Sequence, residues 1–329
     1  MVAKKTKPKP VVLDFRRLKR KPETDAGESR DESGLIDWPA FWEQPFIPED
    51  WLLCPLLPKG RSVAMYCVAG TGKSELTLYV AVRAAMGLPV LDYAGGEPLE
   101  IVYLDYEMTE NDLRGRLQDM GYSKESDLSH FHYYLLPSLP PLDTQQGGEA
   151  VVNIAREHNA DLVIIDTTSR VISGAESDSD SFRDFHQHSG RRLKEIGVTV
   201  WRLDHAGKNL ASGQRGSSAK NDDTDIIWQL SRTKTGSRLY GEKRRQGWVP
   251  ENIYLSRVTE PVLSYTFAED RVTSLVYKMD ELSFPKNVTV RSARDLFKKA
   301  NFAVRQEYLA EAVKIRGNKG TEESDDIFR

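Results

Sequence analysis

The chain has 329 residues, 39% apolar and 29% charged, with a formal net charge of −3; this suits one α/β domain with appendages, or two modest domains, and excludes a chain disordered throughout. The near-neutral balance excludes nucleic-acid binding through global charge, so any such contact has to be local. Cys54 and Cys67 form no CxxC and have no histidine beside them, which excludes a zinc or disulfide framework; with no apolar h-region and no run near the roughly 18 residues of a membrane span, a soluble cytoplasmic protein with no membrane partner is expected.

Residues 1–34 are mostly Lys, Arg, Pro, Asp, Glu and Ser. Such a segment buries too little surface to offset its ordering entropy, so a charged tail is expected. Residues 35–61 carry Trp38, Phe41, Trp42, Phe46 and Trp51 among prolines, which predicts a strap packed over the main domain. Regular patterning starts at Ser62. Ser62 to Val68 reads as a strand running into a Gly-rich turn, and Glu75 to Met86 as a helix stopped by Gly87 and Pro89. Glu100 to Leu104 is a second buried strand, followed by helices over Asn111 to Met120 and Gly148 to His158. The apolar run Asp161 to Ile165, the helix Phe182 to Ile196 and the strand Val198 to Leu203 complete the alternation. Strands that are apolar throughout, alternating with helices, imply a mainly parallel sheet covered on both faces. Ile226 to Ser231, Ile253 to Val258 and Val262 to Phe267 extend it as antiparallel strands, closing a core over 62–270. Two short helices, Ser292 to Ala300 and Gln306 to Ile315, fill an extension over 271–316 that looks like a helix-turn-helix remnant, and 317–329 is a frayed end.

The turn Cys67-Val68-Ala69-Gly70-Thr71-Gly72-Lys73-Ser74, followed by Glu75, has the Walker A layout with Cys67 at the place of the first glycine. Gly70 and Gly72 let backbone N–H groups fold around phosphate oxygens, and the following helix presents its positive end. Lys73 reaches the β- and γ-phosphates of ATP, and Ser74 can ligate Mg²⁺. Cys67 puts the tightness of the turn in question. Asp166 ends an apolar strand at the Walker B position, where a carboxylate holds Mg²⁺ through its water shell. No Glu follows it directly. The carboxylate that orients water is therefore expected just past the neighbouring strand, at Glu107, with Asp105 in reserve.

These features together resemble the RecA-like ATPases, nearest to DnaB-type and plasmid RepA-type hexameric helicases and to the RadA and KaiC proteins. The resemblance implies a RecA-like P-loop NTPase core of α/β class. It implies that the strand end Trp201 to Lys208 senses the γ-phosphate through Asp204 and His205. It gives Arg215-Gly-Ser-Ser218 and Lys243-Arg244-Arg245-Gln246-Gly247 as two candidates for cations that reach the γ-phosphate of an adjacent subunit. Arg245, with Lys243, is favoured over Arg215. The resemblance also implies a homo-oligomeric ring, a hexamer in that class.

In that class turnover is coupled to loops that bind single-stranded DNA. Ala206 to Lys220 is rich in Gly, Ser and Asn with Lys208, Arg215 and Lys220, which suits a positive, phosphate-tracking loop. The segment Ser173 to Asp184 is acidic instead, with Glu176, Asp178, Asp180 and Asp184. A DNA-dependent, helicase-like motor serving replication or recombination of a phage, plasmid or mobile element is the first expectation. An ATP-switched assembly or recombination-mediator protein with little unwinding is the second.

Overall fold

A computed structural model of the chain describes residues 35–46, 50–91, 93–174, 178–207, 219–233 and 236–268, and most positions between 272 and 316. The basic tail, Glu176, Lys208, Arg215 and the end from 317 lie outside the described residues. Two compact units divide at Thr266 and Phe267.

The first unit opens on a short helix, α1 (Trp38–Glu43), capped by the Asp37 side chain on Ala40 N–H. None of its residues is buried, and Trp38, Trp42 and Phe46 are 60, 77 and 88% exposed. The expectation of a packed strap therefore fails for its first half. The second half does pack: β1 (Trp51–Leu53) pairs antiparallel with β2 (Leu57–Pro58), Trp51 meets Trp248 edge-on, and buried Leu56 accepts a hydrogen bond from Trp228 Nε1.

The main sheet comprises β3 (Ser62–Cys67), β4 (Ile101–Asp105), β5 (Phe131–Leu135), β6 (Leu162–Asp166), β7 (Thr199–His205), β8 (Ile226–Thr233), β9 (Gly236–Arg244), β10 (Asn252–Val258) and β11 (Ser264–Phe267), in spatial order β11-β10-β9-β8-β3-β7-β6-β4-β5. From β8 to β5 every pairing is parallel, and β9 and β10 add antiparallel strands beside β8. The helices are α2 (Lys73–Ala85), α3 (Glu110–Asp119), α4 (Gln145–Glu157), α5 (Ser179–Phe185), α6 (Arg191–Glu195) and α7 (Ala219–Asp222), with a π-helical turn over His186–Gly190 joining α5 to α6. Val102, Leu104, Val163, Ile165 and Val200 form a core with α4, α5 and α6. Side chains alternate along a strand, so Asp166 points away from that core, toward Lys73 at the start of α2. Helices thus cover both faces, as the unbroken apolar strands require.

The second unit holds its own core, in which Met279, Phe284 and Leu309 pack with Ala293 and Phe297 of α8 (Val290–Lys299). Thr289 caps α8 on Ser292 N–H. Among the described residues no helix is long and apolar enough to cross a membrane.

Candidate nucleotide site

Why the chain turns sharply after β3 is visible in two dihedrals. Gly70 and Gly72 have φ of +76° and +105°, a region open to glycine without steric penalty. Thr71 closes the turn, its N–H and hydroxyl both donating to Val68 O. Cys67 is the last residue of the strand and needs no special dihedral, so the glycine of the usual motif is dispensable there. Burial pushes its thiol above the usual range, with Lys73 acting in the opposite sense.

The parallel register brings the chemistry into one row. Asp105 pairs with Asp166, Asp166 with Leu203, and Cys67 with His205, all at the carboxyl ends of their strands, the usual ligand edge of an open α/β sheet. Lys73 Nζ lies 3.7 Å from Asp166 Oδ1. Both atoms are buried and neither has a hydrogen-bond partner, whereas Asp166 Oδ2 accepts from Tyr103 OH at 2.9 Å. A buried ammonium and carboxylate oxygen left without such partners are costly unless something completes them. A Mg-bound triphosphate does so, because Mg²⁺ takes one or two carboxylates and completes its shell with phosphate and water. The donor set fits that group. Among the described residues no cluster of three or more His, Cys, Asp or Glu could hold a metal without it.

Asp105 is buried and fully engaged. Its Oδ1 accepts from Glu107 N–H at 2.8 Å and Met108 N–H at 3.1 Å, and Oδ2 accepts from Tyr133 OH. It organises the turn after β4, which removes it from its reserve role as water-orienting base. Glu107 projects from that turn one-third exposed, and its carboxylate is 3.5 Å from His205 Nε2. Both line a cavity of about 630 Å³ with the P-loop.

Three arginines that line the same cavity were not foreseen: Arg116 from α3, Arg232 from β8 and Arg257 from β10. Arg232 donates to Gly70 O at 2.6 Å. Arg257 grips Glu75 with two bonds of 2.7 and 2.9 Å, and Tyr265 OH adds a third. Burial alone would raise the Glu75 carboxyl, but Arg257 and Tyr265 hold it below its usual range. Glu75, expected among the nucleotide contacts, thus ties the start of α2 to β10 and β11.

Other sequence candidates lie elsewhere. Ile226 at the start of β8 pairs with Val63 near the start of β3 and with Arg244. Lys243 and Arg245 therefore sit at the end of the sheet opposite their own P-loop. Lys243 Nζ donates to the carbonyls of Asn221 and Asp222, and Arg245 contacts Asp225 and Asp222 O. Lys220 is a correction. Expected in an exposed DNA-tracking loop, it is 1% exposed, 3.3 Å from Asp204 Oδ1 and over the Phe182 ring at 4.3 Å. Asp204 also differs from expectation: strand alternation turns it to the face opposite His205, where Arg202 Nε lies 3.2 Å away.

Burial would raise the Asp204 carboxyl, but Arg202 first and then Lys220 and Lys73 hold it below its usual range. Asp204→Asn removes a buried carboxylate that faces both Arg202 and Lys220 and should cost about 3–5 kcal/mol, the usual penalty for orphaning buried charge. Lys220→Met should cost less, since Arg202 still pairs with Asp204. Urea unfolding measures both; an Asp204→Asn midpoint equal to wild type would show that the cluster contributes nothing. Because the folded pKa is depressed, this stabilisation is complete at neutral pH and is lost only as pH falls below the unfolded value of about 3.9 and through the lower folded one.

A glycine turn between strand and helix, a lysine facing a strand-end aspartate and a mainly parallel sheet define a RecA-like P-loop NTPase. Residues 29–211, more than half the chain, match the family described as "AAA domain", and the chain belongs to that family. No curated protein matches it. Among solved structures it is similar to a KaiC-like protein of the hyperthermophilic archaeon Pyrococcus horikoshii, at 14% identity and a TM-score of 0.47, covering 68% of this chain and 99% of that one.

Proposed function

We propose that the chain is a Mg-dependent ATPase whose turnover is coupled, in a homo-oligomer, to binding or translocation of single-stranded DNA, as in a helicase-like motor. The observation that carries the hydrolytic part is the buried ion pair of Lys73 Nζ and Asp166 Oδ1, 3.7 Å apart and neither with a hydrogen-bond partner. Lys73 binds the β- and γ-phosphates, and Gly70, Thr71 and Gly72 wrap them with backbone N–H groups. Ser74 and Asp166 would hold Mg²⁺, which would supply charge neutralisation at the phosphate oxygens. Glu107 orients the attacking water, and His205, 3.5 Å from it, links that carboxylate to the end of β7.

The DNA reading is supported by where β7 leads. Its end runs into residues 206–218, which carry Lys208 and Arg215, and α7 beyond them is fastened by Lys220 to Asp204 on β7. Lys243 and Arg245 lie at the sheet end remote from their own site, and in a ring with cations supplied in trans they would exchange their contacts with Asn221, Asp222 and Asp225 for a neighbour's γ-phosphate. A second reading, an ATP-switched assembly protein, is favoured by the withdrawal of Lys220 from the loop and by the acidic Asp178, Asp180 and Asp184.

Steady-state ATP hydrolysis at several protein concentrations, with and without single-stranded DNA and over a salt series, separates the two. A motor shows DNA stimulation that declines steeply with salt, as each neutralised phosphate releases counterion. Turnover that rises with protein concentration and ignores DNA would replace it with the assembly switch.

A further inference from the structure

We infer that Arg116 is a catalytic residue of this site, acting in cis: its guanidinium, delivered by the helix that follows Glu107, binds the γ-phosphoryl oxygens of the ATP held by the same chain. The inference rests on the ATPase reading above and adds a residue to it.

The argument is one of placement and of what remains unpaired. Arg116 sits two turns into α3, whose start is fixed by a reciprocal capping box between Thr109 and Asp112. That box uses the Asp112 carboxylate, one turn before Arg116, for the Thr109 N–H and hydroxyl. Glu75, which feels the Arg116 charge, has its hydrogen bonds taken by Arg257 and Tyr265. Of the other cavity cations, Arg257 holds Glu75 and Arg232 is bonded to Gly70 O, while Lys73 faces Asp166 at 3.7 Å beneath the phosphate turn. Arg116 lines the cavity with Glu107 and the P-loop, and its Nη1 is buried without a hydrogen-bond partner.

A planar guanidinium fork suits two phosphate oxygens at once. When water attacks the γ-phosphorus, the bond to the bridging oxygen breaks, its electron pair leaves with ADP, and the water proton moves toward Glu107. Negative charge then spreads over oxygens that Arg116 is set to bind. Because Glu107 and Arg116 share one turn-helix unit, the residue that orients water and the residue that stabilises charge move together.

The test compares Arg116→Ala and Arg116→Lys with wild type for affinity of a fluorescent ATP analogue, kcat, melting temperature and recovery with added guanidinium. Affinity should stay within about threefold while kcat falls about 10³-fold in Arg116→Ala, the low end of what such an arginine contributes. Arg116→Lys should recover under a tenth of it, because a point charge lacks the fork, and guanidinium should recover part. Wild-type kcat in Arg116→Ala overturns the inference. So does a kcat loss that tracks a lowered melting temperature in both variants without guanidinium recovery, which would make Arg116 structural.

Mixing Arg116→Ala with Lys73→Ala subunits fixes the geometry. A cis residue leaves every site in the mixture defective; recovered turnover would mean that Arg116 serves a neighbour's site and would overturn the cis assignment. If wild type neither binds nor hydrolyses ATP, the ATPase reading itself falls, an outcome distinct from these.

Discussion

Lys73→Ala is expected to reduce ATP turnover by at least about 10³-fold and to abolish stabilisation by nucleotide. The ammonium is 7% exposed and stands 3.7 Å from Asp166 without a hydrogen bond. It is thus a buried charge whose full complement of partners arrives only with a phosphate. Preorganised charges in such low-dielectric sites are worth about 10²–10³ in rate for a single donor, and Lys73 is also the cation expected to hold the β- and γ-phosphates. Two measurements check this. Steady-state hydrolysis gives the rate, and thermal melting with and without Mg-ATP gives the binding. For wild type, ligand at 100 times Kd adds about 2.7 kcal/mol to unfolding; the alanine variant should show no such shift. A variant that still melts higher with Mg-ATP would mean that the phosphates are held elsewhere, and the site proposed around the P-loop would have to be abandoned.

The parts of the fold that were legible in the sequence are those where one physical rule dominates. Strands β3, β4, β6 and β7 are buried along almost their whole length, so each reads as an apolar run between turn residues. The edge strand β5, Phe-His-Tyr-Tyr-Leu, is mostly half-buried, and its His132, with His130 just before the strand, pairs with Glu100. Nothing in its pattern marks it. Strand β9 alternates buried and open residues under a cover of Arg, Glu and Lys, so its period-two signal is diluted by the charges around Lys243. Helix α4 begins at Gln145, three residues earlier than expected. Its first turn carries Gly147 and Gly148, which look like loop residues. A Cβ at either would lie 2.0 Å from a carbonyl, that of Pro141 or of His188, so these glycines record close packing of α4, not a break.

At the site, local motifs were legible and long-range partners were not. The P-loop, Asp166 and Glu107 each sit where a strand ends, and chain order alone predicts that. Arg232 and Arg257 reach the cavity from strands 160 and more positions further on: the Arg232 bond to Gly70 spans 162 positions and the Arg257 bond to Glu75 spans 182. No local pattern can announce such contacts. Lys220 shows the converse error. A lysine at the end of a Gly- and Ser-rich stretch suggests a solvated loop, yet α7 carries it into the interior, where Asp204 and the Phe182 ring receive it. Arg116 was the nearest to being readable. It lies nine positions after Glu107 in a predicted helix, and that spacing would have signalled a paired role only if the face turned toward the P-loop had been known.

Glu107→Gln should separate binding from chemistry. The side chain keeps its shape and loses its charge, while the backbone that positions it stays fixed by Asp105, which accepts from the N–H of residues 107 and 108. Glu107 is one-third exposed at the cavity wall and has no bond to the P-loop, its ionic neighbour being His205. Nucleotide affinity, and the rise in melting temperature on adding Mg-ATP, should therefore remain close to wild type. Turnover should fall about 10²–10⁴-fold, the usual contribution of a positioned general base. The matched variant Asp105→Asn should behave differently. It strips a buried carboxylate from the Tyr133 hydroxyl and two N–H donors, so stability and turnover should decline together. If Glu107→Gln hydrolyses ATP at the wild-type rate, water is oriented by another group, and His205 at the same cavity wall becomes the residue to replace next.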